Sequence, residues 1–114
     1  MFLYGGHKIC DFSIKVGKFN SRYPYSGSGF QSLQSFGSGW FSMRIKLPQR
    51  DSTAVITTFY LISEIESIRD EIDFEFLGGN LKEPHVLHTN IYIDGQGGRE
   101  QQFHFWFDPL HTSS

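Results

Sequence analysis

Disulfide chemistry has almost no foothold in this chain of 114 residues, because its single cysteine, Cys10, has no internal partner. Long apolar runs are missing too, and no stretch approaches the ~20 residues needed to span a bilayer. Ten basic residues stand against twelve acidic ones, for a net charge of −2. They form no Lys/Arg cluster or stripe, which argues against a nucleic-acid partner. The opening residues, Met1 to Cys10, hold one lysine and little hydrophobic continuity, and do not read as a secretory signal. Acceptors for N-glycosylation are lacking: Asn20, Asn80 and Asn90 are followed two positions on by Arg22, Lys82 and Tyr92. No stretch shows the 3.6-residue period of an amphipathic helix.

What the chain does have is glycine and phenylalanine, twelve of each, with 39% hydrophobic residues overall. That is enough for one core, and the length fits one domain at most. Period-two alternation recurs between turn residues. Asp11 to Val16 alternates weakly, whereas Tyr23 to Gly29 carries turn and loop chemistry. Beyond Gly37-Ser38-Gly39, Phe41, Met43, Ile45 and Leu47 share one parity, predicting a strand that Pro48 ends. Residues 49–53 read as a polar turn, and Ala54 to Leu61 as a β-branched and aromatic strand. A charged link over 62–69 precedes a further strand. Residues 85–93 then put Leu87, Thr89, Ile91 and Ile93 on one face and Val86, His88, Asn90 and Tyr92 on the other. After the glycine-rich turn Asp94 to Gly98, residues 100–107 place Phe103, Phe105 and Phe107 inward, with Glu100, Gln102, His104 and Trp106 outward. His7 and His104 read as surface residues and Trp106 as packing. The fold class is all-β, and short strands between Gly-rich turns suggest a two-sheet sandwich.

The most informative stretch is Asp70-Glu71-Ile72-Asp73-Phe74-Glu75-Phe76-Leu77-Gly78. Glu71, Asp73 and Glu75 fall on one face of a strand, and Ile72, Phe74 and Phe76 on the other. Lining up three like charges is costly for an ordinary solvated strand. A retaining glycosidase has a use for it: one carboxylate attacks the anomeric carbon while a second carboxyl, roughly 5 Å away, protonates the leaving oxygen. Outer positions of such a strand are ~13 Å apart at the Cα, by the ~3.3 Å rise per residue, so the side chains must lean together. Crowded carboxylates raise at least one pKa, which keeps a proton available near neutral pH. A decorated edge strand or a calcium-binding acidic strip is the alternative reading of the same pattern. The neighbouring strands favour sugar. Their polar faces carry acids, amides, histidine and aromatics, which suit hydroxyls and the apolar faces of pyranoses.

This stretch resembles the active-site strand of glycoside hydrolase family sixteen, most closely that of the plant xyloglucan endotransglucosylase/hydrolases. Further runs match in the same order: Ser28 to Ser32, Phe59-Tyr60-Leu61, Leu87-His88-Thr89-Asn90, Arg99-Glu100-Gln101-Gln102 and Trp106-Phe107-Asp108-Pro109. The likeness covers about 27–110 and fades over 1–26, so residues 1–26 are set apart as a divergent segment and 27–114 as a partial catalytic domain. It implies a concanavalin-like jelly-roll sandwich and a retaining double displacement on the β-1,4-glucan backbone of xyloglucan, without metal or cofactor. Glu71 would be the nucleophile, Glu75 the general acid/base, and Asp73 the group that holds and polarises the nucleophile. Tyr60 would stack on sugar, with capping of the sheet edge as its alternative. His88, Asn90, Glu100 and Gln102 would line the donor side. Arg69 stands where the family usually has His, and a cation there tends to lower neighbouring carboxyl pKa values.

The resemblance also implies secretion to the plant cell wall, with xyloglucan and an oligosaccharide acceptor as partners. Members of the family run longer, so this chain is expected to hold the first half of the fold and to leave an apolar sheet face exposed. Two functions follow: a xyloglucan transglucosylase/hydrolase, or a non-catalytic fragment that binds glucan as a pseudoenzyme.

Overall fold

The computed structural model describes residues 2–4, 10–20, 23–48, 54–80 and 82–108. The expectations for His7, the turn at 49–53 and Pro109 lie outside these residues. Among the described residues there are eight strands: β1 (Phe2–Tyr4), β2 (Cys10–Asn20), β3 (Tyr23–Gln31), β4 (Ser38–Trp40), β5 (Val55–Ser63), β6 (Glu71–Leu77), β7 (Val86–Tyr92) and β8 (Gln101–His104). A single 3₁₀ turn, Glu66–Ile68, interrupts the link between β5 and β6, and no α-helix occurs among the described residues. The all-β expectation holds.

Six strands form one antiparallel sheet in the order β3-β2-β5-β6-β7-β8, and β1 pairs with β4 in a separate two-stranded ladder. From β5 onward each strand lies beside the next in sequence, as short connections favour. Registers across β5–β6–β7 set Phe59 opposite Phe74 and Phe74 opposite Thr89, while Tyr60 meets Asp73 and Asp73 meets Asn90. Directly opposed residues point to the same face. The parities read from sequence therefore combine into an apolar back and a polar front.

The back is built on Phe59 and Leu61, both buried, with the Phe59 and Phe74 rings stacked at 6.3 Å between centroids. Phe76 stacks on Phe105 at 6.3 Å. Farther along the same face, Ile91 and Phe103 are exposed, as expected of an apolar face left open. Segment 36–43 covers part of it, leaving an open apolar pocket of about 250 Å³ between Phe59 and the residues Phe36, Gly39, Trp40, Phe41 and Met43. His85, itself buried, donates from Nε2 to the Pro48 carbonyl at 3.2 Å and pins the stretch that follows this segment to the start of β7.

Three expectations need correction. Residues 41–48 alternate as a strand should, but they belong to no strand among the described residues; only Ser38–Trp40 does, paired with β1. Alternation reports burial, whereas a strand also needs a partner for its ladder. Conversely, Tyr23 to Gly29 is no loop but most of β3, which pairs with β2 from Asn20↔Tyr23 to Ser13↔Gln31. β3 is an outermost strand of the sheet, where proline and repeated glycines disrupt no inner ladder. Finally, the last described strand ends at His104, and Trp106 is 92% exposed, with Phe107 edge-on at 5.0 Å, so it does not pack into the core.

Candidate active site

The front of the sheet carries an open cleft of about 320 Å³ lined by Thr58, Tyr60, Ile62, Arg69, Glu71, Asp73, Glu75 and Tyr92. Register explains the company. Glu71 is opposite Ile62 on one side and Tyr92 on the other, Asp73 is opposite Tyr60 and Asn90, and Glu75 is opposite Thr58 and His88. Strand β6 thus forms the floor, with one hydroxyl-bearing ring rising from each neighbouring strand. Tyr60 is not an edge cap, because β5 is an interior strand.

Asp73 is the most buried of the three acids, 6% exposed, and its Oδ1 has no hydrogen-bond partner. Burial comes first among the causes that push its pKa from an ordinary 3.8 up to about 8. A hydrogen bond with Glu71 and the charges of Glu71 and Glu75 add to the rise, and the Arg69 guanidinium opposes it. The expected lowering by Arg69 is therefore present but outweighed. At neutral pH Asp73 is protonated, and its O–H donates to the Glu71 carboxylate. Arg69 Nη1 lies 3.4 Å from Glu71 Oε2, in a pair whose side chains are 36% and 15% exposed.

The flanking residues divide by what they touch. Asn90 is buried, and its Oδ1 accepts from the backbone N–H groups of Ile91 at 2.9 Å and Arg99 at 3.1 Å. Its amide thus first serves to tie the β7–β8 connection to the sheet. His88 donates from Nε2 to Gln102 Oε1 at 2.9 Å, continuing the polar row from Glu75 across β7 to β8. Glu100 lies just before β8, exposed and outside the cleft lining.

Tyr92 and Arg69 line the cleft without having been singled out as binding residues. Tyr92 shares its parity with His88 and Asn90, a signal already present in the sequence. Arg69 lies outside any strand, and nothing periodic points to it. Its position is set by the turn after β7. The Gly95 N–H donates to the Arg69 carbonyl at 2.7 Å, and the Asp94 N–H to Asp70 Oδ1 at 3.0 Å. Among the described residues, no group of three or more His, Cys, Asp or Glu could hold a metal ion. No described helix is long and apolar enough to cross a membrane.

In this all-β protein, an antiparallel sheet floors a polar, tyrosine-flanked cleft with three acids. Residues 5–113 match the family model of the glycosyl hydrolases family 16. Relatives include xyloglucan endotransglucosylase/hydrolase protein 2 of Arabidopsis thaliana, 57% identical over 76% of this chain and 30% of the relative. Protein 24 of the same plant is 54% identical over 78% and 34%, and xyloglucan endotransglucosylase protein 8 of Diospyros kaki 53% over 78% and 32%. The chain spans about a third of the length of these relatives. This chain belongs to glycosyl hydrolases family 16, and its sheet is part of the jelly roll that the family adopts.

Proposed function

We propose that the chain carries the donor-side catalytic machinery of a retaining xyloglucan endotransglucosylase/hydrolase that acts on cell-wall xyloglucan. The observation that carries this reading is the floor of the cleft: three carboxyl groups on one strand face, the central one buried and held neutral beside Glu71. Glu71 attacks the anomeric carbon of a backbone glucosyl unit. Glu75, two residues beyond Asp73 on the same face, protonates the departing glycosidic oxygen, and its carboxylate then takes the proton of the incoming hydroxyl. Asp73, by donating to Glu71, fixes the direction in which the nucleophile presents its free lone pair. Tyr60 and Tyr92 offer ring faces to the sugar, His88 and Gln102 extend a row of polar groups away from Glu75, and Asn90 stands beside Asp73 in the next row. Glu100, exposed just before β8, adds a carboxylate outside the lining of the cleft.

A cell-wall substrate implies secretion, and the partners are then xyloglucan as donor and a xyloglucan oligosaccharide as acceptor. The test is incorporation of a labelled oligosaccharide into xyloglucan polymer, with new reducing ends counted in the same tube. Label entering polymer without new reducing ends marks a transglucosylase, and reducing ends alone mark a hydrolase. Neither signal from soluble protein that still retains xyloglucan would make the chain a glucan-binding module instead. Glu71→Gln should abolish turnover while leaving polysaccharide binding largely intact.

A further inference from the structure

We propose that Arg69 is a positioning residue that controls the second half of the reaction, by stabilising the Glu71 carboxylate as the group that departs when the glycosyl-enzyme ester is resolved. This rests on Glu71 being the nucleophile. The geometry is specific. Arg69 Nη1 approaches Oε2 of Glu71 at 3.4 Å, and Arg69 is the sole cation lining the acid-floored cleft among the described residues. Glu71 is only 15% exposed, so the pair is partly shielded and its attraction exceeds that of an ion pair in bulk water. The arginine backbone is anchored independently of the carboxylate, through its carbonyl, by the Gly95 N–H of the turn after β7.

The charge on Glu71 decides which step the cation favours. In the first displacement a Glu71 oxygen bonds to the anomeric carbon, the bond to the leaving sugar oxygen breaks, and that oxygen takes a proton from Glu75. Glu71 thereby passes from anion to neutral ester and loses most of its attraction to Arg69. In the second, the acceptor hydroxyl bonds to the same carbon and gives its proton to the Glu75 carboxylate. The ester C–O bond breaks and its electron pair returns to Glu71, restoring the anion that Arg69 meets. A fixed cation therefore costs something in the first displacement and accelerates the second, because only interactions that differ between ground and transition states change a rate. Asp73 donates to the same carboxylate but is neutral, and supplies no counter-charge. Arg69 thus shortens the lifetime of the covalent intermediate.

The experiment compares the full chain with Arg69→Met and Arg69→Lys, using xyloglucan as donor and a xyloglucan oligosaccharide as acceptor. Samples quenched in acid during steady turnover are weighed by intact-protein mass spectrometry to read the fraction held as glycosyl-enzyme. Arg69→Met should raise that fraction relative to free enzyme about fivefold, the scale of a partly shielded ion pair, and lower kcat and KM together. Arg69→Lys should bring it back to within about twofold of the parent. A merely structural role would slow both displacements alike, so an unchanged or reduced ester fraction in Arg69→Met overturns the proposal. If Arg69→Met fails to fold, Arg69→Gln serves under the same expectation. Absence of both adduct and turnover in the unsubstituted chain would remove Glu71 as nucleophile, and the role of Arg69 with it. Adduct and turnover that respond to Glu71→Gln but not to Arg69 would reject the arginine alone.

Discussion

Asp73 and Asn90 face each other across β6 and β7 and are both among the most buried polar side chains of the front, at 6% and 7% exposed. The amide oxygen of Asn90 already accepts two backbone N–H groups, so only its NH₂ end remains to donate. Asn90→Ala orphans those two N–H groups, and each costs about 1–3 kcal/mol where water cannot reach it. Asn90→Asp keeps an acceptor but adds a fourth carboxylate. Thermal melts should show a clear loss for Asn90→Ala. Asn90→Asp should be close to the parent at pH 4 and weaker at pH 8, and a Tm gap independent of pH would argue against this reading.

Asp73 itself should govern the pH dependence of stability. Its pKa is raised on folding from 3.8 to about 8, so the folded chain binds the proton more tightly than the unfolded one. The benefit is complete below about pH 4 and drains away as pH rises toward 8, for a total on the order of a few kcal/mol. Asn at this position does not titrate. Urea melts of Asp73→Asn and parent between pH 4 and 9 should therefore move progressively in the variant's favour, and a constant difference would mean that Asp73 is not neutral in the fold.

Two glycines are fixed by space, with different consequences. A Cβ at Gly79 would collide with the backbone of Glu83 and lie 2.7 Å from the His85 nitrogen, and backbone cannot yield there. At Gly97 it would lie 2.6 Å from the Tyr92 ring, which can swing aside. Gly79→Ala is expected at the upper end of the ~1–3 kcal/mol that overpacking costs, and Gly97→Ala at the lower end. Gly97→Ala should instead weaken xyloglucan binding, because Tyr92 forms the cleft wall opposite Glu71. Equal losses of Tm with unchanged binding would contradict this division.

Tyr60 contributes to the cleft more than to the core, since its neighbours Phe59 and Leu61 are the buried members of β5. Tyr60→Ala should raise the KM for xyloglucan by several-fold to about tenfold, the worth of one aromatic stacking contact, with little change in Tm. A large drop in Tm with unchanged KM would place it in the core instead.

The front of the sheet was legible because burial imposes a period of two, and chemistry sits on the exposed parity. Glu71, Asp73 and Glu75 on β6 and His88 and Asn90 on β7 could be placed from alternation alone. Strand β3 could not, since Tyr-Pro-Tyr-Ser-Gly-Ser-Gly has the local propensities of a turn and becomes a strand only through pairing with β2. The Phe41–Leu47 segment failed in the opposite sense: its alternation ends with Leu47 turned inward, yet it forms no strand among the described residues. Arg69 was marked by the family resemblance as a cation just before the acidic run, but its contact with Glu71 was not legible, because its backbone is held by the Gly95 N–H of the turn after β7.

The shared registers of β5 to β8 also turn the front into a ruled surface. Thr58, Glu75, His88 and Gln102 form one rung across four strands, and Tyr60, Asp73 and Asn90 form the next. Neighbouring strands are spaced about 4.8 Å apart by their backbone hydrogen bonds, whatever the side chains. A polymer lying across the strands would meet one side chain of a rung per strand. Preference for a decorated or a bare backbone unit can then be rewritten one position at a time, without disturbing the spacing of the others.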